Sequence, residues 1–332
     1  MSYAVSRQKR GIFELRPRSL TLILLAALLS VSVLSLCLGS GVNLYTSLTL
    51  SDPLAQRIVF ELRAPRLCLA LANGALLALC GATLQAHFRN PLADPGLIGV
   101  SSGAGLGAAV ALALGFAAWQ IAGAAFAGAL LATLAVQQLS RWGARSADLL
   151  LAGIALNALC AALLALLLSL APDPLLRGLT FWLMGSLALA DWLSASTLLL
   201  LGVVTGYWLC RHWQVLNALL LGEQVAQHSG FAVARLRRQH MLVVALAMGC
   251  SVALSGVIGF VGLLTPHAIR LLSGGSYRHL LPLSALAGAV LLASADLVAR
   301  LAFAPAELPI GAITSLAGAP FFLWLLRRRH AC

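Results

Sequence analysis

MLVVALAMGCSVALSGVIGFVGLLTPHAIRLL, residues 241–272, decides how often this chain crosses a membrane. The run is too long for one ordinary span, which takes about 20 apolar residues. If it crosses twice, with a break near Ser255 and Gly256, and the amino terminus is cytoplasmic, 17 of the 22 Lys and Arg residues are cytoplasmic and 5 are outside. A single crossing inverts everything downstream and gives a split of 13 to 9. Because cytoplasmic loops are enriched in Lys and Arg, the sequence favours two crossings.

The chain as a whole is strongly apolar. Hydrophobic residues make up 61% of the sequence, charged residues make up 10%, and the mean hydropathy is +0.94. A soluble domain carries about 25% charged residues, so this composition indicates a membrane protein. With residues 241–272 counted as two spans, the pattern predicts an all-α polytopic membrane protein with about ten transmembrane helices and both termini cytoplasmic. The other apolar stretches are residues 20–38, 67–84, 96–116, 119–139, 149–170, 192–209, 281–301 and 308–326.

These stretches predict a single membrane domain over residues 20–326, with cytoplasmic tails at 1–19 and 327–332. The first apolar run is longer than the core of a secretory signal and no A-x-A site follows it, so we expect no cleavage. The net charge of +12 is explained by the cytoplasmic excess of basic residues, and no nucleic-acid partner is needed to account for it.

Several kinds of chemistry are excluded or disfavoured by the residues. The only lysine is Lys9, so a G-x-x-x-x-G-K-[ST] phosphate loop is impossible and the chain cannot be a P-loop ATPase by itself. The seven cysteines form no C-x-x-C pair and lie mostly in apolar runs, which predicts buried thiols and no metal site. A G-x-S-x-G match at Ser101 lacks the preceding strand of a hydrolase elbow. His267 is expected to be a structural histidine.

Asp296 is the only acidic residue well inside a predicted span. An ion-coupled secondary transporter is the alternative function, and such carriers usually need several buried carboxylates or histidines. Arg300 follows one helical turn later on the same face. The spacing predicts either a local ion pair or an aspartate that orients an arginine towards the outer surface.

A shaped turn interrupts the apolar runs in HFRNPLADPGLIGVSSGAG, residues 87–105. Pro91 and Pro95 cannot extend a running helix, and the residues before them favour extended or turn backbone. Asp94 is the expected cap of a new helix, with Pro95 as its first residue.

A long polar excursion lies between residues 211 and 239. Within it, LLLGEQVAQHSG predicts a short surface helix that ends near Gly230. Leu221, Val225 and Phe231 are expected to pack on one side, which leaves Glu223 on the polar side. Residues 175–189 predict a short interfacial helix on the opposite side of the membrane.

Together the segments RAPR, GATLQAHFRNPLADPGLIGVSSGAG, LLAGIAL, FWLMGSL, LLLGEQVAQHSG, GVIGFVGLLTPHAIR and ELPIG resemble the permease of ATP-binding-cassette importers for iron-siderophores, haem and cobalamin. The resemblance runs from about residue 20 to 326, in the same order. It implies a cobalamin-permease-like type II importer fold, a homodimer, two separate ATPase subunits that use ATP and Mg, and a periplasmic substrate-binding protein. The chain itself would bind no cofactor and hydrolyse no ATP. Haem or an iron-siderophore is the favoured cargo, and cobalamin is the next candidate.

The resemblance also implies that the chain lies in the bacterial inner membrane. It further assigns roles to particular residues. It implies a cytoplasmic gate, a segment that contacts the ATPase, and a group of arginines that receives the binding protein. The gate residues would be Asn90, Pro91, Leu92 and Ser146; the ATPase contacts would be Leu221, Gly222, Glu223, Ala226 and Gly230, in a coupling segment at about 212–239; the docking residues would be Arg63, Arg66 and Arg300.

Overall fold

A computed structural model describes residues 15–39, 52–139, 146–304 and 306–330. Within these ranges all regular secondary structure is helical. A π-helical turn, Ile58–Arg63, joins α2 to α3, and a 3-10 turn, Pro95–Ile98, precedes α4. The helices are α1 Pro17–Cys37, α2 Pro53–Arg57, α3 Ala64–Phe88, α4 Val100–Ala113, α5 Ala118–Leu139, α6 Ser146–Leu170, α7 Asp173–Leu183, α8 Trp192–Arg211, α9 Trp213–Leu221, α10 Glu223–His228, α11 Val233–Ser255, α12 Val261–Ser273, α13 Tyr277–Leu301 and α14 Ile310–His330.

The break expected inside residues 241–272 is confirmed. Helix α11 ends at Ser255, and Gly256 takes a positive φ of 69° that other residues rarely adopt. A side chain at Gly256 would also overlap the carbonyl oxygen of Trp182, so this position needs glycine. The chain then runs without helix to Phe260 and begins α12 at Val261.

Within the part of the chain that the structure describes, seven helices are long and apolar enough to cross a membrane: α1, Pro53–Phe88, α5, Leu150–Leu170 within α6, α8, α11 and α13. Two shorter apolar helices are Val100–Ala113 and Ile310–Trp324, and α12 has 13 residues. The expected ten transmembrane helices are therefore reached only when α4, α12 and α14 are included. The second predicted span, 67–84, lies within a helical rod of 36 residues, because helix continues through the π-helical turn.

Helix α3 forms the centre of the molecule. Its span is 83% buried, and it packs against α8, α11, α12 and α13. The backbone of α3 at Gly74 touches Gly288 of α13, and Gly81 touches Gly262 of α12. Small residues allow helix backbones to approach this closely in membrane proteins. The central rod therefore connects the two ends of the bundle.

Several boundaries differ from the sequence-based expectations. Helix α1 begins at Pro17 and α14 continues to His330, so both extend into the predicted tails. Of those tails, residues 1–14 and 331–332 lie outside the described ranges. The helix predicted over 175–189 ends at Leu183, because the chain turns at Gly185 with a φ of 73°. Gly222 divides the predicted surface helix into α9 and α10.

Candidate functional site

Three arginines lie together at one end of the bundle and line a cavity of about 210 Å³. We call Arg63, Arg66 and Arg300 the arginine cluster. Arg63 is 5% exposed, and its Nη1 donates hydrogen bonds to the carbonyl oxygens of Leu36 at 2.8 Å and Cys37 at 3.2 Å. The grouping of these arginines is confirmed, whereas their role in docking stays a prediction.

Two carboxylates bind Arg66 and Arg300 of the arginine cluster. Asp296, whose side chain is 2% exposed, accepts a hydrogen bond from Nε of Arg66 at 2.9 Å and lies 3.2 Å from Nε of Arg300. The predicted pair with Arg300 is confirmed, and Arg66 shares the same carboxylate. Glu307 is 44% exposed and accepts from Nη1 of Arg66 through both oxygens, at 2.9 and 3.0 Å. Arg300 also donates to the hydroxyl of Ser35 at 2.7 Å.

At the opposite end of α3 lies the turn at residues 90–96, which we call the proline turn. The side-chain oxygen of Asn90 accepts the N–H of Leu92 at 2.9 Å, and that of Asp94 accepts the N–H of Gly96 at 2.7 Å. Asp94 therefore caps the following turn and Pro95 is its first residue, as predicted, although the turn is 3-10 helix. Burial raises the pKa of the Asp94 carboxyl, and the hydrogen bond from Gly96 partly opposes that shift.

The predicted gate residues occupy an accessible part of this turn. Asn90 is exposed, Leu92 is 41% exposed and Pro91 is partly buried. Ser146 is the first residue of α6, and its side chain lies outside the described part of the structure. The turn can therefore present Asn90 and Leu92 to another molecule while its internal hydrogen bonds fix its shape.

Two further polar contacts surround the proline turn. In the middle of α6, Nδ2 of Asn157 donates to the carbonyl oxygen of Gly96 at 3.0 Å, and Oδ1 accepts the hydroxyl of Ser102 at 2.5 Å. Just before the turn, Nε2 of His87 lies 2.9 Å from Nδ1 of His240 in α11, and both imidazoles are buried. The turn is therefore bonded to α6, and the end of α3 is bonded to α11.

The polar segment, residues 212–239, contains α9 and α10. Gly222 and Gly230 bound α10 with φ angles of 128° and 86°, and the end near Gly230 is as predicted. The predicted packing side is wrong for Leu221, which is 74% exposed, and for Val225, which is 44% exposed. Ala226 is fully buried and anchors α10 instead.

Ionic and close contacts tie the polar segment to the rest of the molecule. Glu223 forms a 2.7 Å ion pair with Arg237 of α11. A Cβ at Gly222 would lie 4.0 Å from Nη1 of Arg89, the residue that ends α3 in a left-handed conformation. The polar segment therefore lies directly beside the residue that leads into the proline turn.

Sequence reasoning missed Glu307, Asn157 and the pair of His87 with His240. Asn157 is the one carboxamide in the apolar run 149–168 of α6, and this signal could have marked it. The other contacts join residues more than 150 positions apart, and no local pattern reveals such pairs. Among the residues that the structure describes, no three His, Cys, Asp or Glu side chains are placed to hold a metal ion.

Comparisons with known proteins give a consistent result. The FecCD transport family matches residues 12–328. The vitamin B12 import system permease protein BtuC of Salmonella paratyphi A is 42% identical over 98% of both chains. The hemin transport system permease protein HmuU of Yersinia pestis is 44% identical over 82% of this chain and 84% of its own length. A solved metal-chelate type ABC transporter in an inward-facing conformation superposes with a TM-score of 0.86 at 34% identity, over 94% of this chain and 99% of that one.

Proposed function

Because this chain belongs to the FecCD transport family and is the permease of an ATP-binding-cassette importer for metal chelates, we propose haem or an iron-siderophore as its cargo. The segments FRNPLADPGLIGVSSGA and FWLMGSL carry this preference, together with the 44% identity to a permease named for hemin. Cobalamin is the second candidate, supported by 42% identity to vitamin B12 permeases over 98% of both chains.

The proposed gate is the proline turn of two copies of the chain, related by a twofold axis. Asn90 and Leu92 are exposed at its tip, where each can meet its symmetry mate. Pro91 restricts the backbone between them, and the internal hydrogen bonds of Asn90 and Asp94 keep the turn in one shape. A turn of this kind moves as a unit when the helices that carry it move. Ser146, at the start of α6, is the second gate position in this proposal.

Two ATPase subunits dock on the polar segment in this proposal, one for each permease. Leu221 and Val225 offer an exposed apolar contact beside Glu223, while the buried Ala226 and the ion pair with Arg237 hold α10 in place. The ATPases use ATP and Mg, and this chain binds no cofactor of its own. Because Arg89 lies beside Gly222, a displacement of the polar segment acts directly on the residue before the gate.

A periplasmic binding protein docks at the arginine cluster in this proposal. Arginine grips a carboxylate through two parallel hydrogen bonds and stays charged. In the structure the exposed partner of Arg66 is Glu307, whereas Asp296 is buried beneath it. A carboxylate of the binding protein would therefore replace Glu307 on Nη1 of Arg66 and leave the Asp296 pair intact.

This exchange makes Glu307→Gln an informative variant. Removal of the competing charge should increase the affinity for the binding protein, and the dependence of docking on salt should persist because the arginines remain. Surface plasmon resonance on the permease–ATPase complex measures both quantities. Weaker docking of this variant would mean that Glu307 itself faces the partner, and docking that is independent of salt would contradict the arginine assignment.

The same proposal includes the location of the chain and its orientation in the membrane. The chain spans the bacterial inner membrane with both termini, the proline turn and the polar segment on the cytoplasmic side. The arginine cluster then faces the periplasm. The excess of Lys and Arg that the sequence places on the cytoplasmic side supports this orientation.

Transport in proteoliposomes tests the function as a whole. The permease, its ATPase and its binding protein should take up haem when ATP is supplied, and a hydrolysis-deficient ATPase is the control. Uptake of cobalamin but not haem would assign the second cargo. Uptake driven by an ion gradient without ATP would contradict the importer mechanism.

A further inference from the structure

Asn157 connects two segments that are far apart in sequence. Its Nδ2 donates to the carbonyl oxygen of Gly96 in the 3-10 turn, 61 residues away, and its Oδ1 accepts the hydroxyl of Ser102 in α4, 55 residues away. The same hydroxyl lies 3.1 Å from the carbonyl oxygen of Gly99. One carboxamide therefore joins α6, the end of the proline turn and the beginning of α4.

Two other hydroxyls, in α5 and α6, make local contacts. Ser169 of α6 donates to the carbonyl oxygen of Leu166, and Thr133 of α5 donates to that of Ala129, each within its own helix. Bonds of that kind do not connect elements. Asn157 uses both its donor and its acceptor across helices, and the residues beside it in α6 are apolar. Its placement therefore serves the contact between α6 and the turn.

The proline turn is stiff on its own, so a bond at its end controls the position of the whole turn. Asn90 and Asp94 each close a local hydrogen-bonded turn, and Gly96 is the residue whose N–H bonds to Asp94. The Asn157 contact thus acts on a segment that has little freedom to deform. These groups form a continuous set of hydrogen bonds between α6 and Leu92.

We infer that Asn157 is a positioning residue that makes α6 and the proline turn move as one body when the gate opens. This inference rests on the proposed gate. It adds that the two gate segments, one at the start of α6 and one at the proline turn, are coupled within each copy through a single side chain. A permease without this amide would still fold around α3 but would open its two gate segments independently.

The test compares two reporter positions in the assembled permease–ATPase complex. With the seven native cysteines replaced by alanine, Leu92→Cys reports on the turn and Leu151→Cys reports on α6, where Leu151 is 68% exposed. The rate of thiol labelling is measured with and without nucleotide. When Asn157 is present, we expect nucleotide to change the labelling rate in parallel at both positions.

Asn157→Leu removes both interhelical bonds, and Ser102→Ala removes one. An interhelical hydrogen bond in a membrane protein shifts an equilibrium by about threefold on average. For each position, the response is the ratio of the labelling rates with and without nucleotide. We therefore expect the responses at the two positions to differ by about tenfold in Asn157→Leu and by about threefold in Ser102→Ala. The ATP consumed for each cargo molecule should also rise, more in Asn157→Leu than in Ser102→Ala. Ser169→Ala, on the same helix, is the matched control and should change neither quantity.

The outcomes separate the inference from the gate itself. Parallel responses in Asn157→Leu, with unchanged ATP consumption for each cargo molecule, would overturn the inference and leave the gate in place. If Leu92→Cys does not respond to nucleotide in the parent protein, the proposed gate is wrong and the inference falls with it. If Asn157→Leu does not assemble, Ser102→Ala decides, because loss of one hydroxyl leaves the packing of α4 nearly unchanged and parallel responses there would overturn the inference.

Discussion

At the scale of single residues, Arg66 and Arg300 of the arginine cluster share one buried carboxylate. Asp296 is almost fully buried and contacts Arg66 and Arg300 at once, whereas Glu307 pairs with Arg66 from a half-exposed position. A buried charge is strongly destabilising when its partner is removed, while an exposed pair contributes little. The two acids at the same arginine should therefore differ sharply in their effect on stability.

Asp296→Asn should lower the free energy of unfolding by about 3–5 kcal/mol, because it leaves two largely buried guanidinium groups without their common anion. Glu307→Gln is the matched control and should cost about 1 kcal/mol or less. Denaturant unfolding of the purified permease measures both. Equal losses in the two variants would show that burial does not govern this cluster.

At the scale of secondary-structure elements, α3 and the polar segment tolerate different substitutions. Helix α3 makes close backbone contacts, whereas α9 and α10 expose an apolar surface. The α3 contacts require glycine, since any side chain would meet the backbone of the neighbouring helix. The polar segment depends on the buried contact of Ala226, and its exposed side chains can change without loss of the fold. Substitutions in the two elements should therefore affect stability and assembly separately.

Gly81→Ala should destabilise the permease by about 1–3 kcal/mol, because its Cβ would overlap the backbone of Gly262 and push α3 away from α12. Gly123→Ala in α5 is the control, since a Cβ there meets open space and alanine favours helix. Thermal unfolding in detergent should show a lower midpoint for the first variant only. A normal midpoint for Gly81→Ala would mean that the two helices do not touch.

Leu221→Asp should reduce the amount of ATPase that copurifies with the permease, because it places a charge in the proposed apolar contact. The permease should keep its stability, since Leu221 is 74% exposed. Gln224→Asp adds the same charge to an exposed polar position of α10 and is the matched control. Unchanged copurification of the Leu221 variant would make the polar segment a connector without a docking role.

At the scale of the whole molecule, the orientation of the bundle follows from the two crossings of residues 241–272. The loop after α12 contains Ser276, which is exposed, and the arginine cavity is lined by Ala304. These two positions lie at opposite ends of α13. Their accessibility from the two sides of the membrane should therefore be opposite.

Ser276→Cys, in a protein without native cysteines, should react with a membrane-impermeant thiol reagent in inverted vesicles and resist it in spheroplasts. Ala304→Cys should show the reverse pattern. The physical reason is the charge asymmetry, which retains loops rich in arginine in the cytoplasm. Labelling of Ser276→Cys from outside would contradict the proposed orientation.

The sequence by itself determined the properties that depend on local composition and order. Apolar run lengths predicted the helices, the distribution of charge predicted the break that α11 makes at Ser255, and Asp94 with Pro95 predicted a capped turn. The resemblance to importer permeases was also readable from quoted motifs, and the FecCD match over residues 12–328 confirms it. These features need no contacts between distant residues, because caps depend on one or two helical turns and membrane insertion depends on the composition of runs of about 20 residues and on the charges of the loops between them.

Only the tertiary structure decided which distant residues meet. It paired Arg66 with Glu307 across 241 positions, set Asn157 against Gly96, and placed Leu221 outward where packing was expected. A nearly uniform apolar helix carries no periodic signal to say which face turns inward, since lipid and the protein interior are equally apolar. Side-chain partners in such a bundle are therefore fixed by helix packing and by the need of each buried polar group for a partner.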